Sequence, residues 1–246
     1  MPKAFTDFQV LPHGQFVRLA ENLWWVQGSL PNMSLKRVMT VVRLENGSED
    51  NGPGSPLVIH NAIALEEPMM KELEAWGTPK YLLVPNGMHR LDAPAYKRRY
   101  PDLQVFAPLG SRRKIEEVLP VNGAYLDFPD VPSLELRSLP GISETEGALI
   151  VSSQDGRTII LNDVVFNMDR PKDALGLLIT AAFGSAPGPR ISRLAKLTFV
   201  KDRHALKAEL KSLAALPNLQ RLIVAHDKVA HGPEAKRALE TAAGYL

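Results

Sequence analysis

The stretch "YLLVPNGMHRLDAPAY", Tyr81 to Tyr96, decides how the chain is read. Tyr81-Leu82-Leu83-Val84 is a short apolar run of the kind a buried strand needs, and Pro85 stops it. Directly after the stop come Asn86, His89, Arg90 and Asp92, side chains that bind metals, protons or phosphates. Asp92-Ala-Pro is also a good helix start, because a carboxylate caps free N–H groups and proline suits a first turn.

Two later strands end in the same manner. "RTIILNDVVFN" runs into Asn162, Asp163 and Asn167, and "LQRLIVAHD" runs into His226 and Asp227. Loops at one rim of a sheet can bring such ends together. Histidine and carboxylate groups meeting there would supply ligands for Zn, Mn or Fe. His60, His204 and His231 are read as ordinary satisfied histidines, and His13 is set aside with the N-terminal segment.

Around these ends the pattern alternates. "NLWWVQG" and "RVMTVVRL" are two strands joined by a Pro-Asn turn, and "PLVIHNA" is a third after the polar loop Glu45 to Pro56. "EEPMMKELEAWG" reads as a helix with Met69, Met70, Leu73 and Trp76 on its apolar face. Further helices are expected near Pro94 to Tyr100 and over "GSRRKIEEVLP", where Ser111 is the expected cap. Two strands pair through Gln154-Asp155-Gly156-Arg157. Asp202 caps a helix carrying Leu206, Leu210, Leu213 and Leu216, and Pro233 opens the last helix. Strands and helices followed by strands and helices again suggest two packed sheets with helices outside, within one domain.

Bulk properties narrow the partners. The 246 residues are 45% hydrophobic and 23% charged, ordinary values for a globular protein, with a net charge of +2. The basic residues are scattered apart from Arg98-Arg99 and Arg112-Arg113-Lys114, which argues against nucleic acid. The absence of cysteine excludes disulfides, thiolate zinc sites and a cysteine nucleophile. "MPKAFTDFQVLPHG" has no apolar core of signal-peptide length. The longest apolar run, Ala174 to Gly184, has about 11 residues where a membrane span needs roughly 20. The expected location is cytoplasmic, with no membrane partner. "AAFGSAPGPRISRLAKL" is apolar and basic at once, and reads as a lid over a pocket or as the interface of a homodimer.

The order of the three strand-end clusters resembles the metallo-β-lactamase superfamily from about Val17 to the C-terminus. "RLAENLWWVQG" is similar to that family's opening hairpin, and "LVIHNAIAL" to the strand that normally ends in an Asp-Thr-Gly turn. "YLLVPNGMHRLDAPAY" stands where the family carries His-x-His-x-Asp-His, and "LPGISETEG" where Pro-Gly-His-Thr brings another histidine. "IILNDVVF" matches the strand end with the bridging aspartate, and "LIVAHD" the one with the last histidine. Pro-Asn-x-x-His with "NDVVFN" and "AHD" looks like an uncharacterised branch whose zinc motif is degenerate. The resemblance implies an αββα sandwich, α/β (α+β) in class, forming a single domain over residues 1–246 with residues 1–16 as a loosely ordered extension.

The departures define the site. Without a gap, Asn86, Met88, Arg90 and Leu91 occupy the positions of His, His, Asp and His. With one residue inserted after Asn86, His89 and Asp92 take the second and last histidine positions, and Leu91 replaces the water-activating aspartate. Ile142 replaces a further histidine, with Glu144 and Glu146 near enough to substitute. Only Asp163 and His226 match unadjusted. The expectation is a metal-dependent hydrolase with at most one divalent metal, held by His89, Asp163, His226 and Asn86. Asp92 or Glu146 would be a further ligand or general base, and Arg90 would steady an anionic group. The ester, thioester, amide or phosphodiester bond of a small-molecule substrate would be cleaved. The alternative is a metal-free member that binds a small molecule or protein in the same groove, lined by Arg90, Trp76 and residues 174–184.

Overall fold

Strands β2 (Leu23–Leu30) and β3 (Met33–Arg43) form the hairpin expected around Pro31-Asn32. Asn32 takes the turn with φ 56°, a left-handed conformation that asparagine tolerates better than most residues. The computed structural model of the chain describes residues 4–5, 7–45, 54–171 and 173–246. Most of the polar loop between Glu45 and Pro56 lies outside the described residues.

Strand β1 (Val17–Ala20) pairs with β2, and β4 (Pro56–His60) pairs with β3, all antiparallel. The chain then crosses through α1 (Glu67–Trp76), α2 (Ala93–Arg99) and α3 (Leu109–Glu116) to place β5 (Thr78–Leu83), β6 (Gln104–Ala107) and β7 (Gly123–Ala124) parallel to β4. The seven strands lie in sequence order in one sheet. After a 3-10 turn at Tyr125–Asp127 come β8 (Leu134–Ser138), β9 (Gly147–Ser153) and β10 (Gly156–Ile160). Then follow α4 (Ala174–Phe183), α5 (Arg193–Thr198), α6 (Arg203–Ala214), β11 (Leu219–Ile223), β12 (Ala230–His231) and α7 (Pro233–Ala243). This second sheet has the order β12-β11-β10-β9-β8, with β10 and β11 parallel.

Strand periodicity shows why the two sheets face each other. Side chains alternate between faces, and along β5 Tyr81 and Leu83 enter the layer between the sheets while Leu82 packs outward under the helices. Along β11 Ile223 points into the same middle layer and Leu222 and Val224 point outward, against the helices of the second half. Leu57/Val58/Ile59 and Ile159/Ile160/Leu161 divide in the same way. Three apolar layers between four layers of secondary structure make the αββα sandwich, two mixed sheets with helices on both outer faces. Runs that are apolar at every position are what strands buried on both faces require.

Local signals explain the connections. Asp202 accepts from the His204 and Ala205 N–H groups (2.9 and 3.0 Å) and starts α6 as expected. Gly77 closes α1 because its backbone runs against β4, where a Cβ would lie 2.6 Å from the Ser55 carbonyl oxygen. Ser111 does not cap α3. Pro108 holds that position, and the Ser111 hydroxyl donates to the Thr145 carbonyl (2.7 Å). The described part of the N-terminal segment, expected to be loose, is docked: the Phe5 N–H donates to the Leu91 carbonyl (2.7 Å) and the Phe8 ring lies 5.4 Å from Tyr96. No described helix is long and apolar enough to cross a membrane.

Candidate metal centre

Parallel strands deliver their C-terminal ends to one rim, and four of those ends meet there. After β4, Asn61 adopts φ 58° and its Nδ2 donates to the Val38 carbonyl (2.7 Å). That fixes the amide orientation and turns Oδ1 toward His89 Nδ1, 3.1 Å away. After β5, Asn86 Oδ1 accepts from the backbone N–H of Met88 (2.8 Å) and of His89 (3.1 Å), a side-chain-closed turn that sets the His89 backbone. After β10, the N–H groups of Asn162, Asp163 and Val164 all donate to the Glu146 carboxylate (2.7, 2.8 and 3.3 Å). After β11, the Val38 N–H donates to the Ala225 carbonyl (2.8 Å), which ties the two sheets together beside His226.

At the centre, Asp163 Oδ1 lies 3.1 Å from His89 Nε2 and 3.3 Å from His226 Nε2. These ligand atoms all fall within 4.8 Å of one another. His226 Nδ1 sits 2.6 Å from the Lys36 carbonyl oxygen, and the Phe166 ring stacks on the imidazole at 5.5 Å and 4°. A carbonyl oxygen can only accept, so His226 carries a proton on Nδ1, and the amide orientation of Asn61 requires the same of His89. Each neutral imidazole then aims its Nε2 lone pair at a carboxylate oxygen that is also an acceptor. Positive charge must sit among the three, as a proton on each imidazole or as one cation. A backbone or side-chain carbonyl behind a ligating histidine is the usual support of a metal site.

The residues present fit one metal ion. Two imidazoles and a carboxylate are zinc-type donors. Their separations of 3.1 and 3.3 Å lie near the edge, roughly 3.3 Å, of a tetrahedron with bonds of about 2.0 Å. A second ion does not fit in the same way, because Asn86 Nδ2 donates to Asp163 Oδ2 (2.8 Å) and a donor cannot ligate a cation. No other convergent group of three His, Asp or Glu side chains occurs among the described residues.

Asp163 is held as a carboxylate. Burial alone would raise it, but the His89 charge and hydrogen bonds from His226 and His89 outweigh burial and hold it well below the usual range. Burial, then the Asp163 charge, pushes Glu146 up to about 8 against the pull of the backbone N–H groups. Its two oxygens accept from the N–H groups of the 162–164 loop, so Glu146 shapes the site from beneath.

The other expected residues are placed elsewhere. Asp92 is fully buried with its carboxylate 2.5 Å from Arg37 Nη1; burial raises its pKa and the Arg37 charge offsets only part of the rise. It joins α2 to β3 and does not line the cavity at the centre. Arg90 lines that cavity, but its guanidinium is bound to Glu117 (3.0 Å) and the Lys114 carbonyl. Ile142 is fully buried among the outer helices of the second half, Glu144 is exposed, and Trp76 stacks on Trp24 at 3.9 Å, none of them at the rim.

Sequence reasoning passed over Asn61, the Lys36 carbonyl and Phe166. The polar end of "LVIHNA" resembles the other three strand ends and could have pointed to Asn61. A backbone carbonyl leaves no mark in a sequence.

The centre opens into a cavity of about 1060 Å³. Its wall includes Leu30 and Leu35 from the β2–β3 hairpin, Met88, Phe166 and Met168 from loops, and Phe183, Leu194 and Phe199 from the α4–α5 region.

No family model matches the sequence, and no curated protein is significantly similar to it. Solved structures do match. The metallo-β-lactamase FIM-1 from Pseudomonas aeruginosa, in its mono-zinc form, superposes with a TM-score of 0.57 at 13% identity, covering 96% of either chain. A metallo-β-lactamase from Erythrobacter litoralis, with β-mercaptoethanol in its active site, gives 0.59 at 15% identity over 97% of this chain and all of that one. One from Pontibacter korlensis gives 0.58 at 10% identity, over 94% and 99%. The chain has the metallo-β-lactamase fold over nearly its whole length.

Proposed function

We propose that the protein is a metal-dependent hydrolase with a mononuclear centre held by His89, Asp163 and His226. The observation that carries this reading is the convergence of two Nε2 lone pairs and a carboxylate oxygen, each imidazole backed by a carbonyl. A divalent cation bound there supplies Lewis acidity, lowering the pKa of a water and polarising the scissile bond. The chain's own residues do the positioning. Asn61 and the Lys36 carbonyl hold the Nδ1 protons, Asn86 fixes Asp163 through Oδ2, and Phe166 shields one face of His226 from water. Asp92 and Glu146 are committed to Arg37 and to the 162–164 loop, so neither serves as a base in this reading.

The test is turnover of p-nitrophenyl acetate and bis(p-nitrophenyl) phosphate by zinc-reconstituted protein, chelated protein and Asp163→Ala. Activity on either compound that requires zinc and Asp163 supports the reading. Turnover indifferent to both, or none at all with zinc bound, contradicts it.

A second reading, a metal-free binding protein, is favoured by the direct contacts among His89, Asp163, His226 and Asn86. With both imidazoles protonated, these contacts form a complete hydrogen-bonded network. This reading predicts no thermal shift on adding Zn²⁺, Mn²⁺ or Fe²⁺.

A further inference from the structure

The cavity wall distinguishes among the bonds such a centre could cleave. Apolar side chains reach it from several separate segments: Leu35 on β3, Met88 after β5, Phe166 and Met168 after β10, Phe183 on α4 and Leu194 on α5. Helix α4, "ALGLLITAAF", carries no charge, and among its described side chains and glycines Gly176, Thr180 and Phe183 line the cavity. Gly176 and Thr180 are small, so they leave width beside the helix where a larger side chain would fill the space. The Thr180 hydroxyl is already given to the Gly176 carbonyl (2.8 Å) and offers the cavity no free donor.

The charged part of the wall is balanced, four cations against four carboxylates, with no net excess of positive charge for a polyanion. Of its four cations, Arg37 is neutralised by Asp92 and Arg90 by Glu117; the Lys36 ammonium donates to the neutral Ser29 hydroxyl and keeps its charge, and Arg170 is exposed. Four carboxylates, those of Asp163, Asp169, Asp173 and Asp227, share the same wall. A phosphodiester or nucleotide would meet two guanidiniums already committed to carboxylates, and Lys36 and Arg170 set against carboxylates of which Asp169 pairs with Lys228. An acyl chain would meet apolar surface on most sides, and each methylene buried there gains about 0.8 kcal/mol, roughly a fourfold effect.

We propose that this cavity is an acyl-chain site and that the substrate is a carboxylic ester or thioester carrying an apolar chain. The proposal rests on the hydrolase reading for its reaction and on the cavity wall for its chain. In the reaction, a water oxygen bonds to the acyl carbon and the C–O or C–S bond to the leaving group breaks. One water proton goes to the leaving alkoxide or thiolate, and the other reaches solvent as the carboxylic acid ionises.

Two measurements test the chain and the reaction separately. Calorimetry with decanoate on chelated protein reads the cavity alone. Binding is expected in the wild type, weakened at least about tenfold, about two methylenes' worth, by Thr180→Trp, which fills the cavity. Leu194→Asp, at a wall position 39% exposed to solvent and so safe for folding, should weaken it similarly by charge repulsion. Melting temperatures establish that both variants fold. No decanoate binding, or equal binding by both folded variants, overturns the proposal.

With zinc bound, kcat/KM for p-nitrophenyl esters from acetate to octanoate should rise about twofold to fourfold per methylene. Flat chain-length dependence, or preference for bis(p-nitrophenyl) phosphate, also overturns it. Decanoate binding that responds to the variants, with no ester hydrolysed, removes the hydrolase reading and leaves the acyl-chain site standing.

Discussion

Asn61 and His60 are neighbours with opposite tasks. Asn61 faces the centre and orients His89, so the account predicts that Asn61→Gly, which tolerates the positive φ, lowers zinc affinity about 10- to 100-fold with the fold intact. Competition titration against a chromogenic chelator reads this directly, and unchanged affinity would mean that His89 does not depend on its carbonyl partner. His60 points into the core, where burial, and secondly the His89 charge, lower its pKa from 6.5 to about 3. The folded state therefore keeps His60 neutral while the unfolded chain takes up a proton below pH 6.5. Its contribution to stability is present above that pH and is lost as pH falls through the interval toward 3. Urea denaturation at a series of pH values should show this acid-side loss, of order a few kcal/mol, diminished in His60→Phe. Equal acid slopes in the two proteins would contradict it.

At the scale of elements, the centre depends on loops pinned from behind. The β10 loop hangs on Glu146, the β5 loop is closed by Asn86, and α2 is anchored to β3 through Asp92 and Arg37. Replacing Asp92 leaves the Arg37 guanidinium buried with its carboxylate partner gone, so Asp92→Asn should cost about 3 kcal/mol or more. Zinc content of the folded fraction should remain at wild-type level, because Asp92 lies outside the ligand set. Thermal denaturation with elemental analysis checks both halves. Loss of zinc without loss of stability would restore Asp92 to the centre.

These elements also show where sequence reading stops. The strand ends bearing His89, Asp163 and His226 were legible because each follows an apolar run broken by polar residues, and because chain order matched a known fold. Asp92 and Glu146 turn their carboxylates to Arg37 and to the 162–164 loop, which the sequence could not show for a physical reason. A carboxylate facing a cavity and one buried under a loop or against an arginine have the same letter and the same local spacing. Ser111 misled in the same way, since a serine in a first turn can serve either as a cap or as a donor to a neighbouring loop.

Across the whole molecule, the sandwich was legible mainly through the resemblance and the repeated order of strands and helices; strands apolar on both faces are what its two packed sheets and outer helices require. The cavity was less legible. Its wall draws on residues from Leu30 to Asp227, and α4 has no polar face to show which side turns inward. Helix α5 and strand β12 are too short to leave a periodic pattern. The αββα frame brings the β4, β5, β10 and β11 ends to one rim, where Asn86 Nδ2 donates to Asp163 Oδ2.

The most direct test is the number of metal ions per chain. Protein purified without chelator, then saturated with zinc and dialysed, should hold one ion per chain by elemental analysis, and none in His89→Ala or His226→Ala. Two ions per chain would show that Asn86 does not block the second position. None in the wild type would end the metal-centre account.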